Sequence, residues 1–306
     1  MWLVGLLGMG CARQSAPNPS PVKEPLAFQV DSMRAQGHRW ADQGDHVRAT
    51  RSFENAKQVA ESIDDLRGLV DALNDLGVMA TEDGFTGQSV TLHRQAVTLA
   101  EQLGQKDVLL RSITALAGSE QQVGHPEDAQ RLYERAITMA RAQDDRSAEA
   151  VVRNNMGLLQ QASGDVQGAQ RSFQDALEMN RALGNAQSEA SNHANLALLA
   201  EARQDFDQAE REFGQALELD KMAENRAGIA GDLSNLSRIA AQQGFKDRGL
   251  GYADRAYRSY RAQGDIRRAS QEIFRALELS RELGRREDMR RYEEELKTLK
   301  DESIGR

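Results

Sequence analysis

Large apolar residues recur along this chain at a fixed distance. With the sequence laid on itself at a shift of 40 residues, Phe53, Tyr133, Phe173 and Phe213 share one column, with His93 between the first two. Around each, apolar and small residues fall three and four apart. After Arg146, the positions Val151, Met156, Gly157 and Leu159 mark one helix. Val166, Ala169, Phe173, Ala176 and Leu177 mark a second, each helix having one face to bury. Gly164-Asp165 interrupts the pattern between them and Gly184-Asn185 closes it. Glycine supplies the permissive backbone a helix end needs, and Asp or Asn caps the free amides of the next helix. Between units the break recurs at Asp64-Asp65, Gly104, Asp144-Asp145, Glu224-Asn225 and Gly264-Asp265. Each 40 residues is therefore expected to form two helices.

Other columns keep the same register without a gap. One is small: Gly37, Gly77, Ala117, Gly157, Ala197 and Ser237, broken at Leu277. A second reads Ala56, Ala96, Ala136, Ala176, Ala216 and Ala256, and a third Ala49, Ser89, Ala129, Ala169, Ala209 and Gly249. Antiparallel helices approach closely only where one offers Gly or Ala to the other's bulk. The small column is thus expected to receive Phe173 and its equivalents, His93 among them. Added bulk at Ala136 or Ala176 would overpack that seam by about 1–3 kcal/mol. The 306 residues, ordinarily about two domains, become one array. Its units run about 27–64, 65–104, 105–144, 145–184, 185–224, 225–264 and 265–300, with a tail at 301–306. The last unit leaves the columns at Leu277, Met289 and Leu296, as an end cap facing solvent would.

Composition agrees. Of five prolines, four (Pro17, Pro19, Pro21, Pro25) cluster near the start, and the fifth, Pro126, falls just after a break. There, in the first turn of a helix, its missing amide is harmless. Proline costs roughly 3 kcal/mol inside a helix, so a chain this poor in it reads as helical almost throughout. No β-branched run bounded by turns is present, which argues against all-β and doubly wound folds. The net charge of −8 disfavours bulk attraction to nucleic acid. Residues 246–291 depart from it, with 13 basic and 8 acidic residues and with Tyr252, Tyr257 and Tyr260 beside Arg255, Arg258 and Arg261. A solvated basic face is the favoured reading of that stretch, ahead of an acidic partner, an anionic lipid surface or nucleic acid. His38, His46, His93, His125 and His193 are scattered and make no HExxH or paired-ligand spacing. No phosphate-cradling loop or nucleophile elbow occurs. Neither an enzyme nor a cofactor, metal or small-molecule substrate is expected.

Residues 1–10 are apolar and uncharged, too short to span a bilayer, and Cys11, the single cysteine, follows Gly10. This leader resembles a bacterial lipoprotein signal, although Leu7 lies four residues before the cysteine rather than three, and no Lys or Arg precedes Arg13. The resemblance implies lipidation at Cys11 and membrane attachment through it. Ala12 rather than Asp after the cysteine implies the outer membrane, on its periplasmic side. Residues 11–26 then serve as a Pro/Ser-rich tether. The other reading is a cytoplasmic protein with an ordinary thiol at Cys11.

The small and alanine columns resemble those of the tetratricopeptide repeat family: Gly157, Ala169 and Ala176 sit at the family's spacing. The period of 40 rather than 34 resembles the long-repeat subgroup of kinesin light chains and Leu-Gly-Asn-repeat scaffolds. The resemblance implies an all-α solenoid of about seven antiparallel helix pairs, wound as a right-handed superhelix, that binds proteins or peptides. It also implies that the first helix of each pair lines a concave groove. One column on that helix reads Ala35, Asp75, Ala115, Asn155, Asn195, Asn235 and Arg275. Asparagine is a poor helix former, so its recurrence needs a reason. Either the amides hold the backbone of an extended peptide, or they bond neighbouring helices and stabilise the stack. Asp75, Asn155, Asn195, Asn235 and Arg275, with Arg238 close to Asn235, are the candidate groove residues.

Overall fold

The computed structural model describes residues 26–304, with side chains to Leu299. The leader, Cys11 and the tether up to residue 25 lie outside the described residues, as do the side chains of the tail. The described residues form fourteen α-helices and no strand. The first helices of the pairs, the A helices, are α1 (Leu26–Asp42), α3 (Leu66–Glu82), α5 (Lys106–Val123), α7 (Arg146–Ala162), α9 (Ala186–Ala202), α11 (Arg226–Gln242) and α13 (Ile266–Glu282). The B helices are α2 (His46–Ser62), α4 (Thr86–Leu103), α6 (Pro126–Ala142), α8 (Val166–Leu183), α10 (Phe206–Met222), α12 (Lys246–Ala262) and α14 (Arg286–Ile304). Among the described residues, no helix is long and apolar enough to cross a membrane.

The caps form where the break residues predict. Asp65, Asp145, Asp165, Asn185, Asn225 and Asp265 each accept a hydrogen bond from the backbone amide three residues on. Pro126 opens α6 at its first turn. Each A-to-B turn needs one left-handed residue. Glycine takes that place in six of the seven units, and Gln204 carries the strained φ of 61° in the remaining one.

Each A helix packs on its own B helix, and each B helix on the next A helix. The A helices also touch one another in series from α1 through α11. Among the described residues the B helices make no comparable contact with one another. The layer with the closer spacing is the inner side of a curved stack, so the A helices line the concave face.

The small column sets that spacing. The Phe173 ring lies against the bare Cα of Gly157, and a Cβ there would come within 2.5 Å of it. Gly37 and Phe53 repeat the arrangement, and so do Gly77 and His93. His93 is buried, and its Nε2 donates to the Asn74 carbonyl at 3.2 Å. Its Nδ1 is thereby left to accept from Ser119 Oγ at 2.7 Å. Burial lowers its pKa, so the ring is a neutral core group. In the sixth unit both partners are small, Ser237 and Ala253, and Ser237 Oγ donates to the Gly249 carbonyl at 2.8 Å. In the last unit the ring is absent: buried Leu277 takes the small position, exposed Glu293 stands at the aromatic one, and Tyr292 and Leu299 fill the core.

The close fit of Phe173 on Gly157 predicts a compensating pair. Gly157→Leu should destabilise the protein by about 3 kcal/mol through overpacking against Phe173. Adding Phe173→Ala should make the double variant less destabilised than the sum of the single changes. Urea denaturation of the three variants measures both.

Candidate binding groove

The candidate residues all lie on A helices, facing their neighbours along the concave side, and they fall into three settings. At the start of the array, Arg34 Nε on α1 donates to Asp75 Oδ2 at 2.7 Å, and His38 Nε2 lies 3.4 Å from Asp75 Oδ1. Burial pushes the Asp75 carboxyl above its ordinary range, against the pull of Arg34. In the middle, Asn195 Nδ2 donates to Asn154 Oδ1 at 2.8 Å, and Asn192 Nδ2 reaches the same oxygen at 2.9 Å. Asn155 is half-buried and its side chain makes no hydrogen bond among the described residues. Towards the end, Asn235 Oδ1 accepts from Arg238 Nη2 at 2.9 Å, while Arg238 also pairs with Glu201. Arg275 Nη1 donates to Glu272 Oε2 at 2.7 Å and to the Ser234 carbonyl at 3.1 Å. Burial, and then the neighbouring Arg275, lower the Arg238 pKa.

Thus Asp75, Asn195 and Arg275 bridge adjacent A helices, Asn235 is held by Arg238, and Asn155 keeps its amide free. A second polar column, one residue earlier, carries the bridges: Arg34, Asn74, Asn154 and Ser234 each bond the next A helix.

A further column went unread in the sequence. Three residues past the asparagines stand Val78, Gly118, Leu158 and Leu198, on α3, α5, α7 and α9. Val78 is 45% exposed, Leu158 38% and Leu198 37%, and Val151 on α7 is half exposed. Their spacing of 40 was legible, but their exposure was not. Between α5 and α7, where Ala115 and Gly118 are small, a hollow of about 500 Å³ opens beside Val151 and Asn155. The concave side therefore carries an apolar line with a free carboxamide beside a hollow. Apolar side chains and a backbone amide of a bound segment suit that combination.

Other charged groups do different work. Tyr257 and Tyr260 are buried core residues. Arg261 Nη1 donates to Tyr257 Oη at 2.9 Å, and Arg248, Arg258 and Arg285 pair with Glu210, Asp254 and Asp247. Much of the basic stretch is thus paired surface over a packed core. Glu120, His125 and Asp128 could offer a metal ion three ligand atoms. Glu120, however, is already bonded to Arg94 Nη2 at 2.7 Å and to His125 Nδ1 at 2.8 Å.

Asp220 on α10 and Asp232 on α11 are both buried. Asn180 and Asn192 occupy their places one unit earlier and bond each other at 2.7 Å. Asp220 accepts from Asn225 Nδ2 at 3.0 Å. Asp232 Oδ2 has no partner among the described residues, since Ala194 stands where Asn154 serves the previous junction. Burial, and secondarily the Asp220 carboxylate, push Asp232 up to about 8. The folded chain then holds a proton that the unfolded chain releases near pH 4. Stability from this group is complete below about pH 4 and is lost as pH rises towards 8. Asp232→Asn should flatten this decline and make the variant more stable than the parent above pH 8. Thermal unfolding of both proteins between pH 5 and 9 measures the difference.

Comparison with known proteins places the fold. A sequence profile described as tetratricopeptide repeat matches residues 68–142, 108–182 and 148–222, together just over half of the chain. No curated protein is matched by the sequence. Among solved structures, BtubC (BKLC) from P. vanneervenii is 22% identical, covering 78% of this chain and 92% of that one, with a TM-score of 0.59. A Rap protein complexed with Competence and Sporulation Factor is 16% identical, covering 90% and 76%, with a TM-score of 0.66. Repeats of a kinesin light chain from Podosopora anserina are 14% identical, covering 66% and 99%, with a TM-score of 0.53. The helix pairs, the small-residue register and the profile match agree: this chain belongs to the tetratricopeptide repeat family.

Proposed function

We propose that this protein holds an extended peptide, or an extended segment of a partner protein, along the concave face of its A helices. As a tetratricopeptide repeat array it is a protein-interaction scaffold, and no catalytic family is matched. The observation that carries the finer reading is the exposed line of Val78, Leu158 and Leu198 beside the unbonded amide of Asn155. A repeat array can bury such residues between units, as it does at Leu76, Leu116, Leu196 and Leu236. Leaving them on the inner face suits a ligand that supplies the missing contacts. The likeness to a Rap protein complexed with Competence and Sporulation Factor supports ligand binding by an array of this shape.

The same proposal places the array at a membrane. Lipidation of Cys11 would tether it through the Pro/Ser-rich segment at the periplasmic side of the outer membrane, for a role in envelope assembly, secretion or cell-wall work. An unanchored cytoplasmic peptide sensor is the competing reading, and the Rap likeness favours it.

Two measurements test these readings. Peptides selected from a displayed library by the full-length protein should bind Asn155→Ala about tenfold more weakly, the loss of one buried hydrogen bond. Asn195→Ala should instead lower the melting temperature and leave peptide affinity within twofold; the reverse pattern contradicts the groove reading. For the anchor, metabolic labelling with a palmitate analogue should mark the wild type in membrane fractions and leave Cys11→Ala unlabelled. Equal, unlabelled, soluble protein in both removes the anchor and leaves the sensor.

A further inference from the structure

On the other side of the array, the B helices α2 and α4 flank α3 and leave a hollow of about 660 Å³ between them. Its floor is Leu69 and Leu73 of α3, and Leu99 of α4 forms part of one wall. The repeat explains why the hollow is there. At the junctions that follow, the column containing Lys57 reads Val97, Ile137, Leu177, Leu217 and Tyr257, and it ends on Lys297 in the last unit, which has no next A helix. Where the next A helix offers an apolar floor, that side chain joins it in one core cluster: Val97 with Ile113, Leu217 with Leu233, Tyr257 with Ile273. Where it does not, the floor carries charge of its own, Glu149 and Arg153 or Glu189 and His193. Only the first junction combines an apolar floor with a charged residue in the covering position. Lys57 carries its charge to Glu61, at 3.1 Å.

The lining is also unbalanced in charge. Lys57 stands on the α2 wall and Arg94 on the α4 wall, with Glu61 as the single carboxylate of the lining. The Lys57–Glu61 pair is a partly exposed contact one turn apart, 34% and 47% exposed, of the kind that contributes little. Arg94 is held to Glu120 through one nitrogen, and its other donors remain for a second anion. The volume falls within the range of small-molecule sites, which are mostly apolar with a few placed polar groups.

We propose that this hollow binds a free medium-chain alkyl carboxylate. Its chain covers Leu69, Leu73 and Leu99 as the aliphatic side chain does in other units, and its carboxylate lies between Lys57 and Arg94. The site is separate from the concave groove and stands or falls without it.

Calorimetric titration of the full-length protein with decanoate and with decylammonium tests the assignment. Decanoate should bind one to one, and decylammonium at least tenfold more weakly. Lys57→Gln should weaken decanoate about tenfold. Lys57→Leu, which supplies the apolar residue found at the later junctions, should abolish decanoate binding and raise the melting temperature. Methyl NMR shifts on adding decanoate should centre on Leu69, Leu73 and Leu99. Absence of decanoate binding, equal affinity for the two amphiphiles, unchanged binding to Lys57→Leu, or shifts centred elsewhere each overturns the proposal.

Discussion

The close pairing of A and B helices rests on one kind of contact, made in three units by a B-helix ring lying against the bare backbone of its A helix, as Phe173 does on Gly157. Dispersion forces fall steeply with distance. A pair of helices held apart by two large side chains would lose packing along its whole length. The small residue removes that gap, and it sets how close A comes to B and how far B must reach to the next A. With A helices in mutual contact and B helices apart, the stack curves and an inner face exists. The groove is therefore a consequence of residues that never touch a ligand.

A repeat also turns each departure from its own columns into a local property. Asparagine in place of alanine builds a polar seam through Asn180, Asn192 and Asn154. One unit later the same seam is written in aspartates without the bridging residue, and a proton takes the place of a hydrogen-bond donor at Asp232. Lysine in place of an aliphatic residue at position 57 uncovers a leucine floor. In the last unit Leu277 fills the small position, exposed Glu293 replaces the ring, and Tyr292 and Leu299 supply the core. Each case is a local departure read against the other units of the same chain.

Most of the fold was legible because helix pairing depends on spacing, and spacing survives in a single sequence. The Gly37, Gly77 and Gly157 column predicted where rings would lie, including His93. The break residues predicted caps at Asp65, Asp145, Asn185, Asn225 and Asp265. The candidate groove was legible only in part. Asn155, Asn195 and Asn235 share a column, yet one amide is free, one bridges to Asn154 and one accepts from Arg238. Those fates depend on residues 3 to 41 positions away, which no single column contains. The apolar line at Val78, Leu158 and Leu198 has helical spacing like any core stripe, so periodicity alone could not tell its exposure. Only the closeness of the A helices, which leaves that line on the inner face, separates it from the buried stripe at Leu76, Leu116, Leu196 and Leu236.

The central claim is that partners meet the A-helix face. A photo-crosslinking residue placed singly at Leu158 or Leu198, and at Arg131 or Arg171 on the exposed side of α6 and α8, tests it in the cell. The account predicts one shared covalent adduct from the two A-helix positions and none from the B-helix positions. An adduct formed from Arg131 or Arg171, with none from Leu158 and Leu198, would contradict it.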